Sequence, residues 1–204
     1  MSAVAGLELW LIRHGQTIWN AEGRAQGQLD SSLSELGVKQ AERLRKRLKH
    51  ETFDAVYSSD SGRAVQTANI ALPGADLVLE PRLREISFGV LEGKTQAERS
   101  AEDCQIWDYI LEDRFARAPT GGETWQEHIE RVGSWLEALS HSGKVAAFTH
   151  GGSVRAAVFY LIGHHSAGKN WHFRFGNTSI SRFRLSPKSH DILSLNDTAH
   201  LEEW

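Results

Sequence analysis

Arg13-His14-Gly15 closes the apolar run LELWLIR, and His150-Gly151-Gly152 closes a second run, KVAAFT. Between them the run DAVYSS ends in Ser58-Ser59-Asp60, with Arg63 one helical turn further on. If these runs are parallel strands of one sheet, two imidazoles and two guanidiniums meet at its carboxyl edge, where such sheets hold ligands. A cation cluster in a cleft is costly unless an anion occupies it. Arginine's planar fork matches phosphate bidentately. The glycines admit a ligand close to the backbone and free N–H groups to point at it. Helix N-termini after Gly15 and Gly151 add dipoles of the right sign. The residue types therefore point to a bound phosphoryl group.

Phosphoryl chemistry needs a nucleophile and an acid. A thiolate loop of the Cys-x5-Arg kind fails, because Ile110 stands where the arginine after Cys104 should be. No Asp-x-Asp pair is present for an aspartyl-phosphate. Histidine remains, and it is a recognised covalent nucleophile. Glu85, in PRLREISFG, supplies a carboxyl near the same rim. A surface ion pair of Glu85 with Arg82 or Arg84 explains that carboxylate equally well.

The elements that must position these groups follow from pattern. Residues 7–13, 54–59, 76–80 and 144–150 read as buried strands, and 178–185 with 190–196 as a closing hairpin. Ser32 and Glu35 form an S-x-x-E capping pair that opens a helix through about His50. Further helices are expected at 62–72, 94–101, 104–114, 123–140 and 153–162. Strand–helix alternation followed by a hairpin predicts an α/β fold. It is a three-layer α/β/α sandwich around a mostly parallel central sheet with an antiparallel edge strand. No linker or repeat divides residues 1–204, so a single domain is expected.

The 204 residues carry a formal net charge of −3, which gives no global reason to expect nucleic acid or an anionic membrane as partner. No apolar run approaches a membrane span, and the N-terminus lacks the features of a secretory signal. One cysteine excludes an intrachain disulfide and a thiolate-rich metal site. The expectation is a cytoplasmic protein, monomer or homodimer, whose partner is a small molecule. His164-His165 lacks a third ligand at plausible spacing, so no metal is assigned.

Four ordered motifs resemble the histidine phosphatase superfamily in its phosphoglycerate-mutase-like branch: LIRHGQTIWN, SSDSGRAVQTA, LREISFGVLEG and FTHGGSVR. The resemblance spans nearly the whole chain. It implies that His14 attacks phosphorus and becomes a phosphohistidine. It also implies that Arg13, Arg63 and His150 hold the phosphoryl oxygens and that Glu85 is the proton donor. By the same resemblance Asn20 lines the pocket and Gly15 and Gly151 offer close backbone. Neither a metal nor an organic cofactor is implied.

The branch holds both mutases and phosphatases. Its mutases are longer and clamp the substrate carboxylate with adjacent arginines. Here Arg114 and Arg117 are separated, and the segment 90–122 is short, which favours a small phosphatase over a cofactor-dependent phosphoglycerate mutase. Gln26, Trp107, Arg114 and Arg117 are candidates for substrate selection. Two rival motifs are weaker. Gly89 to Thr95 is one residue short of a P-loop, and HGGSVR has Arg155 where a serine esterase elbow needs glycine. A non-catalytic phospho-ligand module is the remaining alternative, although none of Arg13, His14, Arg63, Glu85 and His150 is lost.

Overall fold

The computed structural model describes residues 6–140, 142–163 and 173–202. Strands β1 (Leu7–Arg13), β2 (Ala55–Ser58), β3 (Leu77–Leu79), β4 (Lys144–Thr149), β5 (Ile180–Leu185) and β6 (His190–Asp197) form one sheet in the order β3-β2-β4-β1-β5-β6. The four strands from β3 to β1 run parallel, whereas β5 and β6 run antiparallel to their neighbours. The expected antiparallel edge is therefore two strands wide. The helices are α1 (Ile18–Glu22), α2 (Glu35–Leu48), α3 (Gly62–Ala71), α4 (Ala101–Glu112), α5 (Trp125–Ala138) and α6 (Gly151–Leu161).

Strand periodicity sorts the sheet's side chains into two cores. Leu7, Leu9 and Leu11 of β1 join Val145, Ala147 and Phe183 against α5 and α6. Trp10 and Ile12 of β1 join Val56, Ala146 and Phe148 against Leu44, Leu48 and Ala68 of α2 and α3. This is the three-layer sandwich the alternation predicts. The residues that anchor β1 and β4, among them Leu9, Ile12, Ala147 and Phe148, are fully buried. Each large one contributes about 1.5–3 kcal/mol relative to exposure, so the two strand ends are rigid platforms.

Helix starts differ from the sequence reading where capping is decided by tertiary context. Ser34, not Ser32, caps α2, its Oγ accepting from the Gly37 N–H at 3.1 Å. Ser32 lies in the extended stretch beside the Thr17–Leu33 bridge, where its carbonyl accepts from Ile18. Helix α4 starts three residues before the expected 104, because Ser100 and Asp103 close a capping box. Of the helix expected at 94–101 only a 3-10 turn, Gln96–Glu98, forms, again capped by a box, Thr95 with Glu98. The short α1 gave no apolar period, but Thr17 and Asn20 cap it reciprocally. His164 and His165 lie outside the described residues.

Candidate active site

Register brings the two histidines together. In the β1–β4 pairing Arg13 stands opposite Thr149, so His14 and His150 follow at the same level. His14 N–H donates to the Thr149 carbonyl at 2.9 Å. The imidazoles lie edge to face, centroids 5.1 Å apart and planes at 63°. Both rings are buried.

Their tautomers follow from their neighbours. His14 Nδ1 is 2.7 Å from the Gly15 carbonyl, which can only accept. Nδ1 therefore carries the proton, and the Nε2 lone pair is free. His150 Nδ1 accepts from Arg63 Nε at 3.1 Å, so Nε2 bears the proton, with Ser59 Oγ 2.9 Å away. Burial first, then Arg13 and Arg63, push the His14 pKa well below its ordinary value. Burial and Arg63 do the same to His150. Two neutral imidazoles result, and His14 Nε2 keeps its lone pair.

Arg63 lies in the first turn of α3 and is buried. Besides His150 it donates to the Leu29 carbonyl at 2.8 Å, Asp30 Oδ1 at 2.9 Å and the Gly27 carbonyl at 2.7 Å. Four of its five N–H groups are thus committed to the protein, and Asp30 partly offsets the desolvation of the cation. Arg63 orients His150 and pins the 27–30 loop, with one Nη2 proton left over. Arg13 is freer. Its Nη1 donates to the Phe175 carbonyl at 2.6 Å, while its buried Nε has no partner. Burial lowers its pKa, Glu85 opposing and Arg63 and Arg155 reinforcing.

Glu85 follows the 3-10 turn Pro81–Leu83. Its carboxylate accepts from the backbone N–H of Gly152 at 3.0 Å and of Ile86 at 2.9 Å. The surface ion pair does not form: Arg82 binds Glu80, and Arg84 binds Asp60. Glu85 instead shares the wall of a cleft of about 400 Å³ with Arg13, Gly151, Gly152, Arg155 and Arg174. Helix α6 starts directly after His150, two residues before the expected 153, and so aims Gly152 N–H at that carboxylate.

Other assignments change. Gly15 N–H is taken by Thr67 Oγ1 at 3.0 Å, so it is not free for a ligand. A Cβ at Gly15 would stand 2.7 Å from the Gly37 carbonyl, so the glycine admits α2 rather than a substrate. Asn20 and Gln26 form a polar cluster: Asn20 Nδ2 donates to Gln26 Oε1 at 3.2 Å, and Thr17 Oγ1 donates to the same oxygen at 3.1 Å. This cluster connects to His14 through Asn177, whose Nδ2 donates to both the Asn20 Oδ1 and the His14 carbonyl. Gln26 Nε2 is a buried donor without a partner. Ser153, the serine of the esterase-like motif, donates to the Arg84 carbonyl at 2.7 Å from within α6, not to a histidine. Lys94, the P-loop candidate, is bound by Asp103.

A second cavity of about 220 Å³ adjoins the first through Ile86, Phe88, Trp125 and Arg155. Trp107, Arg114 and Arg117 line it. Arg117 is held by Glu112, the Tyr109 carbonyl and the Tyr109 ring. Arg155 stacks on Trp125 at 5.2 Å and donates to the Phe173 carbonyl. Sequence reasoning missed Arg155, Trp125 and Arg174 as cleft residues.

The parallel strands of the mixed sheet thus end in paired imidazoles with guanidiniums and a carboxylate beside them, a constellation suited to an oxyanion. The sequence profile of the histidine phosphatase superfamily (branch 1) matches residues 9–198, and the chain belongs to that family. It is 35% identical over 206 residues to the Yersinia pestis protein named "Probable phosphoglycerate mutase GpmB", covering 96% of this chain and 95% of that one. The alpha-ribazole phosphatase of Shigella flexneri superposes with a TM-score of 0.85 at 29% identity, over 94% of this chain and 96% of the other. YhfR of Bacillus stearothermophilus gives 0.84 at 30% identity, over 96% and 100%. Among the described residues no helix is long and apolar enough to cross a membrane.

Proposed function

We propose that this chain is a metal-independent phosphomonoester hydrolase acting on a small phosphorylated metabolite. His14 Nε2 attacks phosphorus in line; the N–P bond forms as the bond to the alcohol oxygen breaks. Glu85 protonates that oxygen as it leaves, then takes a proton from the water that attacks the phosphohistidine. Inorganic phosphate departs and His14 is regenerated. Arg13 Nε and the spare Arg63 proton stabilise the phosphoryl oxygens. His150 adds its Nε2 proton on exchanging Ser59 for an oxygen of the substrate. The guanidiniums supply the positive charge, so the scheme requires no metal or organic cofactor.

One observation carries this reading: the free Nε2 lone pair on a buried His14 beside an unpartnered Arg13 Nε. The second cavity would take the leaving alcohol, with Trp107 and Trp125 as walls and Arg114 at the rim. Mutase chemistry is the alternative that the GpmB relative brings. Against it, Arg114 and Arg117 are not adjacent and Arg117 is tied to Glu112 and Tyr109; the other arginine of that cavity, Arg155, stacks on Trp125 and donates to the Phe173 carbonyl.

The test is phosphate release from 4-nitrophenyl phosphate and a metabolite panel, with denaturation at alkaline pH to trap the phosphoenzyme. Wild type should release phosphate and show an acid-labile, base-stable label, and His14→Ala should retain neither. Activity above a few per cent in that variant would overturn the nucleophile assignment. Interconversion of phosphoglycerates faster than their hydrolysis would make the enzyme a mutase.

A further inference from the structure

The segment that carries Glu85 has neither a helical nor a sheet ladder of its own beyond Leu83, yet its carbonyls are bound by side chains. Thr149 Oγ1 donates to the Leu83 carbonyl at 2.7 Å and Ser153 Oγ to that of Arg84 at 2.7 Å. One guanidinium supplies the rest. Arg131, on α5, donates through Nη1 to the carbonyls of Arg82 at 2.8 Å and Arg84 at 3.0 Å, and through Nη2 to that of Glu85 at 3.3 Å. Its Nε and Nη2 engage Glu123 bidentately at 2.7 and 2.8 Å. Glu123 Oε2 in turn accepts from the Ser87 N–H at 2.9 Å. Buried His128 Nδ1 lies 2.6 Å from the same Nη2, whose two protons are thus shared among three acceptors, and the guanidinium has no N–H left for a ligand.

We infer that the Arg131–Glu123 pair is the positioning device of the proton donor. One member holds the carbonyl of Glu85, and the other holds the N–H two residues further on. The Glu85 peptide is thereby bracketed from both sides by a single planar unit fixed to α5. Arg131 touches no reacting atom and acts only through Glu85, so the inference rests on the proton-donor role proposed above. A carboxyl that must deliver its proton to a leaving oxygen within about 3 Å tolerates little displacement. Of the carbonyls at 82–85, those of Arg82 and Glu85 depend on Arg131 alone among the described side chains.

The experiment separates positioning from general structural support by leaving-group dependence. Wild type, Arg131→Met, Arg131→Lys, Glu123→Gln and Glu85→Gln are compared on 4-nitrophenyl phosphate and on a simple alkyl phosphate. Glu85→Gln should slow the alkyl ester by about 100-fold or more and the nitrophenyl ester several-fold at most. Arg131→Met should reproduce that split at about 10–100-fold, with KM within about twofold. Arg131→Lys, which keeps the charge and is the safer variant to fold, and Glu123→Gln, which keeps an acceptor for Ser87, should show a smaller split of the same sign. If Glu85→Gln shows the split while Arg131→Met and Arg131→Lys slow both esters equally, the inference is overturned and the donor assignment stands. If Glu85→Gln slows both esters equally, the donor assignment itself fails and the inference falls with it.

Discussion

The backbone N–H of Gly152, in the first turn of α6, donates to Glu85 Oε2 at 3.0 Å. A Cβ at Gly152 would overlap the same carboxylate at Oε1. The glycine is therefore required by the approach of the Glu85 carboxylate and not by its own dihedrals. Gly152→Ala should raise helix propensity yet push Glu85 off its perch. The expected outcome is a Tm within about 3 °C of wild type and a fall of about tenfold or more in kcat on alkyl phosphates. An unchanged kcat would mean that Glu85 works from another position.

Glu92 is a second carboxylate that serves backbone. Its two oxygens accept from the N–H groups of Gln28 at 3.1 Å, Leu29 at 2.9 Å and Phe88 at 2.8 Å, and from Ser87 Oγ at 3.1 Å. It joins the loop that Arg63 pins to the segment that follows Glu85. Glu92→Ala strands three N–H groups, each costing roughly 1 kcal/mol or more where water cannot replace the carboxylate. For a chain of 204 residues that corresponds to a Tm lower by about 5–10 °C, read by calorimetry. A shift below about 2 °C would show that the loops hold without this carboxylate.

What the sequence made legible, and what it hid, divides along the kind of contact involved. Arg13 ends one apolar strand, His14 and His150 follow strand ends directly, and parallel pairing brings those ends to one edge, so their convergence could be reasoned from spacing. Glu85 was ambiguous because two arginines flank it; only the fold gives those arginines to Glu80 and Asp60. Gly15 signals a close approach, but a glycine does not say what approaches, and here it is the backbone of Gly37. Neither Arg131 nor Glu92 receives a role from spacing or pattern. Their partners are carbonyls and N–H groups of distant loops, which leave no trace in hydrophobic pattern.

Three buried imidazoles, His14, His128 and His150, are held neutral, each pKa pushed well below 6.5 chiefly by burial and then by nearby arginines. Because the folded values are depressed, the unfolded chain binds more protons below pH 6.5, and stability falls as pH drops through that value. Each site that stays neutral costs about 1.4 kcal/mol between pH 7.5 and 5.5, or about 4 kcal/mol for three. Asp60 and Glu80, whose pKa values are lowered by Arg84 and Arg82, titrate below this window. Urea midpoints at pH 7.5, 6.5 and 5.5 should therefore fall steeply. A loss under about 1 kcal/mol over that range would show that the imidazoles protonate inside the fold.

Arg13 and Arg63 have their pKa values lowered, above all by burial, and Arg63 further lowers that of Arg13. A tetrahedral dianion in the cleft would relieve that strain and bind only the folded state. At 100 times Kd it should stabilise by about 2.7 kcal/mol. Orthovanadate or inorganic phosphate should thus raise Tm by several degrees at constant ionic strength and inhibit hydrolysis competitively, while EDTA leaves turnover unchanged. Arg13→Met should abolish the shift, since its Nε is the unpartnered donor. Arg63→Met should destabilise the fold as well, because the same side chain pins the 27–30 loop. Equal protection by chloride at matched ionic strength would reduce the effect to general screening and leave the cleft without a specific oxyanion site.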